Sequence, residues 1–229
     1  MSAASGRPPQ QGARDELVGL ARRGVSWDGL LGRRPGTDAR PAAVLVLFGV
    51  LDGLPGRHVA RAVPADLDVL LVGRAATLSH HSGQVAFPGG RVDAGDDGPV
   101  AAAVREAVEE TGLDAAGVEV LGTLGELAVP VSNHVVTPVL AWWSRPSPVG
   151  VVDVGESAAV FRAPVADLID PGRRRTVAMD RAGATYRSPA FLLNGCTVWG
   201  FTAIVLDGIL DALGWTEPWD SSRTIPVPV

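Results

Sequence analysis

Apolar and polar residues fall in blocks along this chain, and the blocks change period. Residues 42–48 and 67–73 are short unbroken runs rich in valine and leucine, bounded by turn residues, which predicts two buried strands. Residues 84–87 read as a further short strand between a polar loop at 74–83 and a glycine- and aspartate-rich loop at 88–98. From Pro99 the pattern becomes helical. Val100, Ala103, Val104, Ala107 and Val108 recur at the spacing of a core-facing stripe, with Pro99 at the first turn and Gly112 just past the last. Strands are expected at 118–124, 135–143 and 158–164, a short helix at 165–168, and strands near Thr176 and Phe191. A last helix spans 201–213 and stops at Gly214, with Asp207 and Asp211 on a face read as solvated. Leu17, Leu20 and Ala21 predict a short amphipathic helix at 15–23, after a disordered tail at 1–13 and before a linker at 32–41. Interleaved strands and helices make the class mixed α/β.

Length and composition narrow the picture. The 229 residues suit one domain with extensions: a tail and short helix at 1–37, a domain at 38–214, and an irregular tail at 215–229. At 46% hydrophobic the chain is globular, and its 28 glycines and 18 prolines predict long loops. All 20 basic residues are arginine, and the net charge of −5 argues against a partner that is a nucleic-acid polymer. Cys196 is the single cysteine, so no internal disulfide can form, and it reads as a small buried filler. The N-terminus has no apolar signal core, and the longest apolar run, around 42–51, is too short to span a bilayer. No membrane partner and a cytoplasmic location are the expectation.

The chemistry is concentrated in one turn of the helix after Pro99. Glu106, Glu109 and Glu110 lie at spacings of three and four, so they are expected on one helical face, near the end whose dipole disfavours negative charge. Such a cluster makes sense around a hard divalent cation, Mg²⁺ or Mn²⁺. Gly89 and Gly90 let backbone groups approach a metal or a phosphate closely. Arg105 is placed to pair with Glu109 at i+4 and steady the cluster. A site of this kind suits attack of water on a phosphoanhydride.

Gly90 to Leu113 resembles the Nudix box, the signature of hydrolases that cleave a nucleoside diphosphate linked to another moiety. The Arg105-Glu106-x-x-Glu109-Glu110-x-Gly112-Leu113 half is intact. In the first half six residues separate Gly90 from Asp97, which stands for the usual glutamate or sits beside the helix N-terminus. The segment from Arg74 to Gly90, which includes His80-His81-Ser82-Gly83, is similar to the one that marks the coenzyme A pyrophosphatase branch, as are Val136-Thr137-Pro138 and 198–203. Ser79 departs from that branch, which usually has arginine there.

The resemblance implies the Nudix fold, an α/β/α sandwich with a mixed sheet and here an N-terminal helical extension. It implies metal ligation by Glu106, Glu109, Glu110 and Gly90, with Arg105, Asp97 and Gly112 structural in the motif. Arg74, His80, His81, Gly83, Gly89 and Arg91 would contact the substrate, and Glu156, or else Glu126, would join the helix glutamates as general base. The substrate implied is a small nucleotide, coenzyme A or a thioester of it, cut to 4′-phosphopantetheine and adenosine 3′,5′-bisphosphate, with homodimerisation left open. Two rivals stay open: another Nudix pyrophosphohydrolase, acting on nucleoside triphosphates, ADP-ribose or NADH, and a catalytically silent Nudix module that senses a nucleotide.

Overall fold

A computed structural model describes residues 9–27, 38–74, 84–130, 132–155, 157–181, 184–193 and 195–228. It opens on helix α1 (Pro9–Arg23). In chain order there follow strands β1 (Arg40–Gly49), β2 (Asp68–Arg74), β3 (Val85–Ala86) and β4 (Gly89–Arg91), then helix α2 (Pro99–Thr111). Next come β5 (Val118–Thr123), β6 (Leu127–Val129), β7 (His134–Trp143), β8 (Ser157–Pro164) and helix α3 (Val165–Ile169). The rest comprises β9 (Arg174–Arg181), β10 (Ala184–Leu193), β11 (Cys196–Val198), helix α4 (Gly200–Ala212) and β12 (Thr224–Ile225).

Strand β1 is the spine of an eight-stranded mixed sheet. It runs parallel to β7 from Arg40 beside His134 to Phe48 beside Trp142, and antiparallel to β4 and β2 on its other edge. Because side chains alternate across a strand, β1 splits its residues between two cores. Ala43, Leu45 and Leu47 pack under α2 with Ala102, Ala103, Ala107, Val139 and Ala141. Val46 and Phe48 pack on the opposite face with Leu17 and Leu20 of α1, Leu168 of α3 and Leu206 of α4. Burial on both faces is why β1 and β2 read as continuous apolar runs rather than alternating ones. Each fully buried leucine contributes roughly 1.5–3 kcal/mol.

Three expectations about the ends and the last helix are corrected. Helix α1 starts at Pro9, inside the stretch expected to be a tail, and Arg14 pairs with Glu119 of β5. The tail after residue 214 is only partly irregular: Trp215 is buried, meets Phe48 edge-on, and donates its indole N–H to Glu16 of α1, while β12 adds parallel to β9. Asp207 is not solvated surface. It pairs with the fully buried Arg174, whose guanidinium lies 4.5 Å from the rings of both Phe191 and Trp219. Burial pushes the Asp207 carboxyl up from its ordinary value, with Arg174 pulling the other way.

Strands were expected near Thr176 and Phe191. They form, with β11 and β12, a separate four-stranded sheet in the order β11-β10-β9-β12. Cys196 is half-buried in β11 rather than fully enclosed. Among the described residues no helix is long and apolar enough to cross a membrane.

Candidate active site

The site is built where β4 meets α2. Strand β4 lies antiparallel to the start of β1, pinned by the Leu45 amide on the Pro88 carbonyl at 2.8 Å and the Val92 amide on the Pro41 carbonyl at 3.1 Å. A β-carbon on Gly89 would strike the backbone of Ala43 and Val44, so only glycine allows this approach. A β-carbon on Gly90 would strike the carboxylate of Glu106 instead. The missing side chain is thus the space that Glu106 occupies against the strand.

Helix α2 begins at Pro99 and ends at Gly112, which takes the left-handed conformation and returns its amide to Val108 at 2.8 Å, as the sequence pattern predicts. Its buried face is rotated from the expected stripe. Ala102, Ala103, Ala107, Glu110 and Thr111 are buried, whereas Val108 is 37% exposed. Glu106 and Glu110 therefore sit against the strand, and Glu109, 58% exposed, lies at the solvent edge of the same face, sharing the Arg105 Nη1 group with Glu106. Glu110 accepts the Gly89 amide at 3.0 Å. Burial raises the Glu106 carboxyl above its ordinary value, opposed by the Arg105 guanidinium beside it.

Arg105 ties the loop, the strand and the helix into one unit. Its guanidinium donates to Glu106 at 3.0 Å, to Glu109 at 3.1 Å as expected for i+4, and to the Arg91 carbonyl at 3.1 Å. Asp96 accepts two more of its N–H groups at 2.9 Å each and also the Asp93 amide at 2.8 Å. Those contacts hold the Asp96 carboxyl below the usual range and push the Arg105 guanidinium further up. The acidic partner of the motif arginine is thus Asp96, not Asp97. Asp97 is exposed, and the helix N-terminus is capped by Gly98 without a side-chain bond. One signal for Asp96 was present: five residues intervene between Gly90 and Asp96, while seven intervene between Asp97 and Arg105.

Arg74 closes β2 where the strand bulges against β8 opposite Ser157. Its amide donates to the Gln84 carbonyl at 2.9 Å, and its buried Nε has no partner among the described residues. His80, His81, Gly83 and Glu156 lie outside the described residues. The Asp153 side chain accepts the Gly155 amide at 2.7 Å, and its carbonyl accepts the Ser157 amide at 3.0 Å. Glu126 is exposed between β5 and β6.

The inward pair fits a hard cation in chemistry. Two carboxylates lie against a glycine strand whose missing β-carbon at Gly90 lets Glu106 close on the backbone, and burial of that carboxylate outweighs the positive charge beside it. Among the described residues no three His, Cys, Asp or Glu side chains converge as a closed set of ligands.

Comparison with known proteins identifies relatives of this chain. The NUDIX domain model matches residues 56–145. The Nudix hydrolase NudL of Cronobacter sakazakii, a protein of uncharacterised activity, is 39% identical over 138 residues, which cover 60% of this chain and 71% of the relative. NudL of Escherichia coli is 37% identical over the same shares. Among solved structures, the Nudix hydrolase RenU of M. smegmatis is 29% identical, covers 58% of this chain and 74% of its own, and superposes with a TM-score of 0.44.

Proposed function

The chain belongs to the Nudix hydrolase family, and on that premise we propose that it cleaves the diphosphate of coenzyme A or its thioesters. The observation that carries the hydrolytic part is the Glu106 carboxylate seated in the space left by Gly90, with Glu110 on the neighbouring Gly89 amide. Glu106, Glu110 and the Gly90 carbonyl would hold Mg²⁺ or Mn²⁺, with Glu109 as a further ligand. When bound, the cation supplies neutralisation of phosphate oxygens and a more acidic water.

The remaining work falls to side chains. Arg105, gripped by Asp96, fixes the inner and outer carboxylates relative to β4. Glu156, or one of the helix carboxylates, takes the proton from the attacking water. Arg74, His80, His81, Gly83, Gly89 and Arg91 position the anionic substrate, and an Arg74 Nε without a partner among the described residues supports such a role. Water adds across the anhydride, one P–O bond breaks, and the products are 4′-phosphopantetheine or its acylated form and adenosine 3′,5′-bisphosphate. The coenzyme A assignment rests on the similarity of 74–90, 136–138 and 198–203 to that branch.

A screen of diphosphate substrates with Mg²⁺ and Mn²⁺ tests the reading. Coenzyme A should turn over faster than its 3′-dephospho form, and both faster than nucleoside triphosphates, ADP-ribose or NADH. Equal use of the two coenzyme forms would assign another Nudix pyrophosphohydrolase. Nucleotide binding with no hydrolysis of any of them would assign a sensing module.

A further inference from the structure

Arg40, Arg91 and His134 come together on one face at one end of the main sheet. Arg40 of β1 lies directly beside His134 of parallel β7, and Arg91 of β4 lies opposite Ala42, one pleat along from Arg40. Neighbouring strands are about 4.8 Å apart and same-face residues about 7 Å apart along a strand, so two arginines and an imidazole can reach a common point. Arg40 and Arg91 are exposed and His134 is half-buried. None of the three side chains has a hydrogen-bond or ion-pair partner among the described residues. Asp93, the acidic residue next along the chain from Arg91, leans instead toward Arg105 at 3.7 Å. Two cationic side chains at neighbouring same-face positions repel one another when they converge, and an anion seated between them would relieve that repulsion.

The pleat decides which anion. On β1 the odd-numbered Ala43, Leu45 and Leu47 face α2, and the even-numbered Val44, Val46 and Phe48 face α1 and α4. Gly90 opposes Ala43 and abuts Glu106, so it lies on the α2 face, and Val92 packs there too. Arg91 between them points to the other face, as do Arg40 and His134 by register. A diphosphate held at Glu106 and Glu110 is therefore across the strand from these three side chains. They are free to hold a different anionic group.

We propose that Arg40, Arg91 and His134 form a second anion subsite that takes a phosphomonoester carried by the substrate outside its diphosphate. The subsite deepens the reading given above and rests on it for the position of the diphosphate. Two guanidinium forks and one imidazole match the three terminal oxygens of a phosphate. The Arg91 carbonyl, held by Arg105, fixes the subsite relative to the carboxylates, so it measures the span between the scissile bond and the remote phosphate.

The test is calorimetric binding, without metal, of adenosine 3′,5′-bisphosphate and of adenosine 5′-monophosphate, which differ only in the remote phosphate. The wild type should bind the bisphosphate at least about tenfold more tightly. Arg40→Gln and His134→Gln should each erase most of that preference, and Arg40→Lys should keep part of it, with melting temperatures unchanged. A wild type without the preference, or Gln variants that retain it, would overturn the subsite. The measurement needs no turnover, so a wild type that shows the preference yet leaves coenzyme A intact would overturn the substrate assignment alone.

Discussion

Asp96 holds the Arg105 guanidinium through both carboxylate oxygens at 2.9 Å, while its neighbour Asp97 stands exposed one residue away. Arg105 in turn contacts Glu106, Glu109 and the Arg91 carbonyl, so the bond to Asp96 sets the position of the whole carboxylate turn. Asp96→Ala is expected to lower kcat/KM about 10- to 100-fold by loosening the groups behind the ligands. Asp97→Ala should stay within about twofold. Steady-state kinetics of the two variants side by side would reverse the assignment if Asp97 proved the sensitive one.

Gly89 and Gly90 should fail differently. A β-carbon on Gly90 meets the end of a flexible glutamate, which can swing aside, so Gly90→Ala should fold with a nearly unchanged melting temperature and lose most activity. A β-carbon on Gly89 meets backbone that cannot yield, so Gly89→Ala should lose stability as well, by about 1–3 kcal/mol. Urea unfolding paired with an activity assay separates the two; equal stability loss in both would contradict the packing described.

Glu110→Gln keeps the size of the side chain and an oxygen for the Gly89 amide while removing the charge. Its expected effect is a rate loss of at least about a hundredfold with folding intact. A variant as active as wild type would remove Glu110 from the ligand set.

Asp68 is 1% exposed in β2, and burial pushes its carboxyl from 3.8 up to about 7, although it accepts the Leu51 amide at 3.3 Å. Between those two values the folded chain holds the proton more tightly than the unfolded one. The associated stability is complete below the unfolded value and is lost as pH rises through about 7. The melting temperature should therefore fall between pH 5 and pH 8, and Asp68→Asn, neutral throughout and still an acceptor, should flatten that fall. Parallel slopes for the two proteins would show that Asp68 is not the group responsible.

What the sequence revealed and what it hid divides by range. Helix α2 was legible because Pro99 and Gly112 act on the residues beside them, and β1 and β2 because burial on both faces leaves a run with no alternation. The inward turn of Glu110 was not legible, since the Gly89 amide that receives it is 21 residues away. Asp207 looked solvated because its partner Arg174 lies 33 residues back, in a sheet whose pairing no local pattern announces. The Asp96 and Asp97 ambiguity came from one extra loop residue, which makes counts from the two ends disagree. Arg40 fell inside a segment taken for a linker, and only its register beside His134 gives it a role.

The bond from Trp215 to Glu16 joins positions 199 residues apart, and Trp215 also fills the core beneath Phe48. During synthesis the first helix emerges from the ribosome long before the indole that completes its berth exists. Until the residues around 215 are made, that helix lacks part of its packing, which makes shielding by a chaperone most valuable for the α1 segment.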